Sequence, residues 1–172
     1  MVSGVLILQF LNELAPIYSN VLSVGKTISY LKNEYTIISL NDMLKKDIDL
    51  ALFSAGGEVS KVWAPKLAAQ GCKVIDNSSY WRMCSKHKLI VPEINGDVIT
   101  KEDLIIANPN CSTIQLVMAL YPLHQAYGAK RVIVSTYQSV TGTGKAAVDQ
   151  LEGERNGEDP RMVYPSKINR NC

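Results

Sequence analysis

The sequence predicts an α/β protein built on a parallel sheet. Residues 49–54 form a near-continuous apolar run, which is typical of a strand covered on both faces. Gly56-Gly57 follows at once, then a helical apolar pattern to about Gln70, then a second short strand at 73–76. A strand, a glycine turn, a helix and a strand in this order predict a βαβ unit. The 172 residues, of which 47% are hydrophobic and 20% charged, suffice for a folded core of one domain or one and a half.

The start of the chain predicts a helix. Val5, Leu8 and Leu11 recur at helical spacing, so we expect a helix over residues 4–14 that ends at Pro16. No basic residue precedes this apolar run, and polar residues interrupt it soon afterwards. It therefore matches neither a signal peptide nor a membrane span.

A small hairpin is predicted next. Thr27–Tyr30 and Tyr35–Ile38 are strand-like runs on either side of a turn at Lys32-Asn33. Val21–Ser23 is a further candidate for a short strand.

The helix of the βαβ unit is expected to have one apolar side and a defined end. Its expected inward residues are Val59, Val62, Trp63 and Leu67, and Gly71 is suited to end it.

Ligands bind beyond the carboxyl ends of strands in such sheets, which points to Ser54–Gly57 and Asn77–Ser79. The Gly56-Gly57 pair would let a phosphate or a ring approach the backbone. The alternative interpretation of the pair, favoured by its immediate sequence, is a tight turn alone.

Arg82 stands among large apolar residues, between Trp81 and Met83. Such an arginine either extends to the surface along its aliphatic stem or binds an anion with two donors. Further on, Leu89–Glu93 is expected to be a strand ended by proline, and Leu104–Ala107 another strand.

Cys111 is placed by its neighbours at the start of a helix. It follows the turn Asn108-Pro109-Asn110 and opens an apolar run that Gly128 would end. Unpaired N–H groups at a helix start favour the thiolate, which is a strong nucleophile. The alternative is an ordinary buried cysteine, because free cysteine is among the most buried residue types. The helix is apolar nearly all round, which predicts a central, buried position.

The last third predicts one more strand, a loop and a surface helix. The strand is expected at Lys130–Gln138, the loop at Ser139–Gly144, and the helix at Lys145–Arg155 with Ala147, Val148 and Leu151 inward.

Composition disfavours several classes of partner and site. The net charge is +2 without a basic cluster, which argues against nucleic acid or an anionic membrane as partner. The four cysteines are irregularly spaced and the two histidines form no ligand group, so we expect no metal site and a reducing, cytoplasmic setting.

Several motifs occur together in one order, and together they carry a family resemblance. They are Ser54-Ala55-Gly56-Gly57, Asp76-Asn77-Ser78-Ser79, Trp81-Arg82-Met83, Val91-Pro92-Glu93, Asn108-Pro109-Asn110-Cys111-Ser112-Thr113 and Ser135-Thr136-Tyr137-Gln138-Ser139-Val140-Thr141-Gly142-Thr143-Gly144. From about Lys26 to about Ile168 the chain resembles the bacterial type of aspartate-semialdehyde dehydrogenase. The Asn-Cys-Ser-Thr motif and the Tyr-Gln-Ser loop are specific in combination. They disfavour a glyceraldehyde-type or acetylglutamyl phosphate reductase.

The resemblance implies a reaction and an architecture. Such enzymes interconvert aspartyl phosphate and aspartate semialdehyde with NADP and phosphate, on the route to lysine, threonine and methionine. The implied fold is a partial Rossmann-like parallel sheet leading into an α+β catalytic and dimerisation domain. Residues 1–109 would be an incomplete NAD(P)-binding domain, and residues 110–172 the start of the second domain. Relatives are dimers or tetramers, so a homo-oligomer is implied.

The resemblance also implies roles for individual residues. Cys111 would be the nucleophile that forms a thioester, and Gln138 would orient the substrate. Arg82 and Asn110 would contact phosphate or substrate. The implied cofactor-lining residues are Ser54, Gly56, Gly57, Asn77, Ser139 and Gly142.

The chain departs from the family pattern in two regions. The opening strand and its glycine-rich fingerprint are missing, and Val21–Lys26 lacks the arginine that relatives use for the extra phosphate of NADP. The downstream acid/base histidine and a second arginine are not found either, since His87 and His124 lie in other segments. Two hypotheses follow: a shortened enzyme, weak or inactive as this chain, or a non-catalytic remnant that keeps only its fold or an oligomerisation surface.

Overall fold

A computed structural model of the protein describes residues 4–9, 13–19, 24–30 and 32–168. These residues fall into two compact units, one up to Ala126 and one from Tyr127 onwards. The predicted strand at Val21–Ser23 lies outside the described residues.

A six-stranded sheet forms the first unit. Its strands in chain order are β1 Gly4–Gln9, β2 Glu13–Ser19, β5 Leu50–Phe53, β6 Lys73–Asp76, β7 Lys88–Leu89 and β8 Ile105–Ala107, with β3 and β4 in a separate hairpin. The spatial order is β2-β1-β5-β6-β8-β7. The four strands from β5 to β7 run parallel, whereas β1 is antiparallel to both of its neighbours. The predicted parallel α/β sheet is thus confirmed.

The hairpin is also confirmed, although its second strand begins two residues earlier than predicted and includes Asn33. Strands β3 Thr27–Tyr30 and β4 Asn33–Thr36 pair antiparallel. Lys32 occupies the turn with a φ of 70°, in the left-handed region that tight hairpin turns use.

The predicted helix over residues 4–14 is wrong. The run from Val5 to Leu8 is apolar at every position, and periodicity in so short a run does not separate strand from helix. The edge of β5 offers unpaired backbone groups, and Val5, Leu6 and Ile7 pair with it. Pro16 lies within β2, the outermost strand, at the irregularity in its pairing with β1, and edge strands and bulges tolerate proline.

Helix α2, Gly57–Ala68, covers the parallel strands after the short α1, Leu40–Met43. Its buried residues are Ser60, Ala64 and Leu67. Of the residues predicted inward, Leu67 is buried and Trp63 packs against the core, whereas Val62 is 47% exposed. Small residues at 60 and 64 let the helix approach the sheet closely. The buried core around α2 comprises Met43, Ala51, Phe53, Ala64, Leu67, Cys72, Val74 and Ile105.

The segment predicted as a strand at Leu89–Glu93 divides into two elements. Strand β7 ends at Leu89, and Pro92 is the first residue of helix α3, Pro92–Asn95. Proline suits the first helical position because its missing N–H would have no partner there.

Helix α4, Cys111–Tyr127, begins and ends as predicted, and Gly128 follows it with a φ of 66°. Its predicted burial is wrong, since none of its residues is buried. Leu123 is 52% exposed and Tyr127 84%. An apolar helix surface favours packing against another apolar surface. The described part of the chain does not provide such a surface for α4.

The second unit contains a 3-10 helix at Val140–Thr143 and helix α5, Lys145–Arg155. Helix α5 is confirmed, with Ala147 and Leu151 buried. The strand predicted at Lys130–Gln138 is wrong: this segment is irregular, and Ile133 is 83% exposed. Adjacent β-branched residues favour a strand only where a neighbouring strand pairs with them, and none in the described chain does.

Candidate functional site

The carboxyl ends of three parallel strands meet level at one edge of the sheet. Phe53 pairs with Asp76, and Asp76 with Ala107. The ladder extends one residue further, because the N–H of Asn77 donates to the carbonyl of Phe53 at 2.8 Å and that of Asn108 to Asp76 at 2.8 Å. This is the edge at which ligands of open parallel sheets bind.

Two asparagines link the ends of β6 and β8. The Nδ2 of Asn108 donates to the Oδ1 of Asn77 at 2.7 Å. The link ties a residue implied to line the cofactor site to the turn that precedes Cys111.

Arg82 crosses the same edge and is half-buried. Its Nε donates to the carbonyl of Asn108 at 2.9 Å, and its Nη2 donates to the carbonyl of Asn77 at 2.9 Å. These two bonds use one side of the guanidinium fork, which carries five N–H donors in all. The N–H groups at the outer end of the fork can still donate to oxygen atoms of an anion. The arginine is therefore tethered to the backbone, and does not simply extend into solvent.

Cys111 is the first residue of α4 and is exposed. The interpretation as an ordinary buried cysteine is thereby wrong. Asn110 caps the helix: its Oδ1 accepts the N–H of Ser112 at 2.9 Å, and its carbonyl accepts that of Ile114 at 3.0 Å. The first turn of a helix favours negative charge, as a thiolate nucleophile needs.

The other described cysteines differ from Cys111. Cys72 is buried, and this burial raises the pKa of its thiol to about 11, helped by the charge of Asp49. Cys84 is half-buried. All three are free thiols.

The glycine pair begins α2 at this edge of the sheet. Gly56 has a φ of 87° and caps the helix without a side chain, a conformation that L residues rarely adopt. A Cβ on Gly57 would lie 3.5 Å from the Cβ of Tyr80. Ser54 is exposed just before the pair. Gly56-Gly57 thus forms the tight turn that begins α2. This turn lies at the edge of the sheet where a ligand would approach.

The described residues do not fit the pyrophosphate of a dinucleotide in the usual way. That group is seated on a glycine-rich turn between the first parallel strand and a helix. Here β1, the neighbour of β5, runs antiparallel, so its carboxyl end faces the opposite edge. Within the described ranges, Ser54–Gly57 is the glycine turn between a parallel strand and a helix at this edge, and it lacks the fingerprint spacing.

The remaining candidates lie in the second unit. Gln138 is exposed in the irregular segment before the 3-10 helix. Ser139 caps that helix, since its Oγ accepts the N–H of Thr141 at 3.4 Å, and Gly142 lies within it.

Three residues of the first unit received no individual role from the sequence. Asp76 is fully buried and binds the buried Ser78, while Asn108 joins Asn77 and Arg82. Asp-x-Ser directly after a strand is a known turn-forming pattern and is the signal that could have found the first two.

Two classes of site are not supported in the described chain. No group of three or more His, Cys, Asp and Glu side chains there could hold a metal ion. None of the described helices combines the length and the apolar character that crossing a membrane requires.

Two family models match the chain. Residues 4–102 match the semialdehyde dehydrogenase NAD-binding domain, and residues 120–172 match the semialdehyde dehydrogenase dimerisation domain.

Individual relatives agree with these matches. The aspartate-semialdehyde dehydrogenase of Aquifex aeolicus is 50% identical over 141 residues, which cover 80% of this chain and 42% of that enzyme. The crystal structure of aspartate semialdehyde dehydrogenase II from Vibrio cholerae superposes with a TM-score of 0.74 at 39% identity, over 90% of this chain and 48% of that one. Its complex with ASA gives a TM-score of 0.73.

The chain thus spans less than half the length of these relatives. Over that span the fold is shared with the Vibrio cholerae structure, as the TM-score of 0.74 shows. The chain belongs to the semialdehyde dehydrogenase family, and the relatives that it resembles are aspartate-semialdehyde dehydrogenases.

Proposed function

We propose that the chain carries the acyl-transfer chemistry of aspartate-semialdehyde dehydrogenase. The whole reaction converts L-aspartyl-4-phosphate to aspartate semialdehyde, with NADP as the cofactor and inorganic phosphate released. The observation that carries the proposal is the tether of Arg82 to the carbonyl of Asn108, in the turn from which Cys111 begins its helix. An anion-binding group and an exposed thiol thus belong to neighbouring parts of one sheet edge.

The proposed step uses groups of this chain alone. The Cys111 thiolate attacks the acyl carbon of aspartyl phosphate, and a C–S bond forms as the C–O bond to phosphate breaks. Phosphate leaves with the electron pair of that bond. Arg82 would hold its oxygens, because a guanidinium fork matches the geometry of phosphate. Asn110 would contact phosphate or substrate, and Gln138 would orient the substrate.

NADP in such enzymes supplies the hydride that reduces the thioester. Ser54, Gly56, Gly57, Asn77, Ser139 and Gly142 are the residues proposed to line its site. Since the described residues lack the usual pyrophosphate turn, we expect weak binding and derive no further step. We also propose that residues 1–109 form an incomplete cofactor domain, that residues 110–172 begin the catalytic and dimerisation domain, and that the setting is cytoplasmic.

A non-catalytic role is the second candidate. Helix α4 has an apolar sequence and no buried residue, and the dimerisation model matches from its second half onwards. Both observations favour a surface that a second copy covers, in a homo-oligomer that keeps the fold without turnover.

The test uses the purified chain and its Cys111→Ala variant, both verified as folded by circular dichroism. The chain is mixed with freshly prepared aspartyl phosphate and examined by intact mass spectrometry, with peptide mapping of any aspartyl adduct. A second assay follows NADPH formation from semialdehyde, phosphate and NADP. An adduct on Cys111 that the variant lacks would establish acyl transfer. A folded chain without adduct or turnover would favour the non-catalytic role.

A further inference from the structure

A buried carboxylate lies behind the tethered arginine. Asp76, the last residue of β6, is fully buried, and Ser78 is 7% exposed. The Oδ1 of Asp76 accepts the N–H of Ser78 at 3.0 Å, and its Oδ2 accepts the Ser78 hydroxyl at 2.6 Å. The Ser78 hydroxyl in turn accepts the N–H of Tyr80 at 3.3 Å.

These bonds form two side-chain turns in series. The first turn reverses the chain directly after the sheet, and the second carries it on towards Arg82. The carbonyl of Asn77, which accepts from Arg82, lies inside the first turn. The hydrogen bonds of Asp76 and Ser78 therefore fix both the path to the guanidinium and one of its two acceptors.

A second anchor holds the residue before the arginine. The Nε1 of Trp81 donates to the buried Oγ of Ser60 on α2 at 2.8 Å. The Trp81 ring meets the rings of Tyr80 and His87 edge-on, each at 4.7 Å between centroids. Trp81 thus fixes the backbone next to Arg82, and the Asp76–Ser78 turn fixes the Asn77 carbonyl to which the guanidinium donates.

We propose that Asp76 and Ser78 are positioning residues that hold the Arg82 guanidinium ready for a phosphate group. Burying a carboxylate is unfavourable unless hydrogen bonds compensate it, and in the described chain both bonds to this carboxylate come from Ser78. This inference rests on the proposed function, because it takes the phosphate role of Arg82 as given. Asp76 and Ser78 themselves need not touch substrate.

The test observes Arg82 directly. The Nε–H resonance of Arg82 in the 15N-labelled chain is assigned by its loss in Arg82→Lys. Its exchange with water is measured without ligand, and its shift is followed during titration with inorganic phosphate. Three variants are compared: Ser78→Ala removes the hydroxyl, Ser78→Thr keeps it, and Ser85→Ala is a control at an exposed serine beyond Arg82.

We expect Ser78→Ala to speed Nε–H exchange and to weaken phosphate binding about tenfold, the effect of one hydrogen bond to a charged group. Ser78→Thr should retain most of the affinity, and Ser85→Ala should match the unaltered chain. The alkylation rate of Cys111 should not change in any of them. A general loss of structure would alter that rate too, whereas a positioning role would not.

The proposal fails if Ser78→Ala leaves both the exchange and the phosphate affinity unchanged, or if phosphate does not shift the Arg82 resonance in the unaltered chain. Its failure is distinct from that of the proposed function. If the chain forms the Cys111 adduct but Ser78→Ala changes neither Nε–H exchange nor phosphate affinity, the positioning role is refuted and the proposed function is not. A chain that binds phosphate and responds at Ser78 but forms no adduct would refute acyl transfer alone.

Discussion

The Nε of Arg82 donates to the main-chain carbonyl of Asn108 at 2.9 Å, joining residues 26 positions apart in the sequence. The same guanidinium reaches the carbonyl of Asn77. One side chain thus connects the ends of two neighbouring parallel strands, and the guanidinium is held in place by the backbone of that sheet edge.

Replacing Arg82 with lysine should destabilise the first unit. A lysine ammonium is a compact charge that cannot span both carbonyls as the planar fork does. We expect the free energy of unfolding to fall by about 1 kcal/mol, the contribution of a typical hydrogen bond. Urea denaturation measures the change. Arg131→Lys is the control, since Arg131 is exposed in an irregular segment, and equal losses in the two variants would contradict the structural role of Arg82.

Alkylation should separate the three described cysteines. Cys111 is exposed at its helix start, Cys84 is half-buried, and burial raises the pKa of Cys72 to about 11. At neutral pH only about one Cys72 thiol in ten thousand would be ionised, even before its poor access is counted. Brief iodoacetamide treatment of a Cys172→Ser background followed by peptide mapping should label Cys111 first, then Cys84, and Cys72 last. Faster labelling of Cys84 or Cys72 would count against Cys111 as the nucleophile.

The sequence predicted the parallel core and little of what lies around it. The runs that became β5, β6 and β8 are short, apolar and bounded by turn residues, so composition identified them as strands. By contrast, the run from Val5 to Leu8 is compatible with either a helix or a strand. It forms a strand because the edge of β5 is available for pairing. The burial of α4 depends on a partner, which no pattern within the helix can reveal.

The site divides in the same way. Motifs selected Cys111 and Arg82 as candidates, because each belongs to a short, continuous stretch. The acceptors that hold Arg82 are the carbonyls of Asn77 and Asn108. These two residues are 31 positions apart and are neighbours only because of the register of β6 and β8. Long-range contacts of this kind follow from the fold and not from local spacing.

Acid should weaken the turn around Asp103. A hydrogen bond from Lys88 and a second from the N–H of Thr100 lower the pKa of its carboxyl to about 2, below its usual 3.8. Because the folded pKa is the lower one, the stabilisation is present above pH 3.8 and is lost as the pH falls through 2. Asp103→Asn should therefore be less stable at pH 7 and show a shallower loss of stability between pH 4 and 2.

Urea denaturation at a series of pH values tests this prediction. Asp97→Asn is the matched control, since that carboxylate is exposed in the same region. Parallel stability profiles for Asp103→Asn and the unaltered chain across the acid range would show that the Lys88 pair contributes nothing.

The fully buried Gln150 should hold the end of the second unit in place. Its Oε1 accepts the N–H groups of Val163 and Tyr164 at 2.7 and 3.0 Å, and its Nε2 donates to Glu154 at 2.8 Å. Removing the amide in Gln150→Ala releases these contacts, so the following segment should open more often. We expect trypsin to cleave after the exposed Lys167 at least about tenfold faster, because the loss of even one of these hydrogen bonds predicts a factor of about that size.

Glu152→Gln provides the control for this prediction, because Glu152 is exposed on the same helix. Circular dichroism establishes whether α5 itself persists in both variants. If α5 persists and cleavage after Lys167 proceeds at the same rate in Gln150→Ala as in the control, the amide does not hold this segment. Glu154, which accepts a hydrogen bond from Gln150, also accepts the N–H of Ile168 at 2.8 Å, so loss of the Gln150 amide affects both ends of this segment. Faster cleavage in Gln150→Ala alone would therefore show that one buried side chain holds residues 162–168 against the helix.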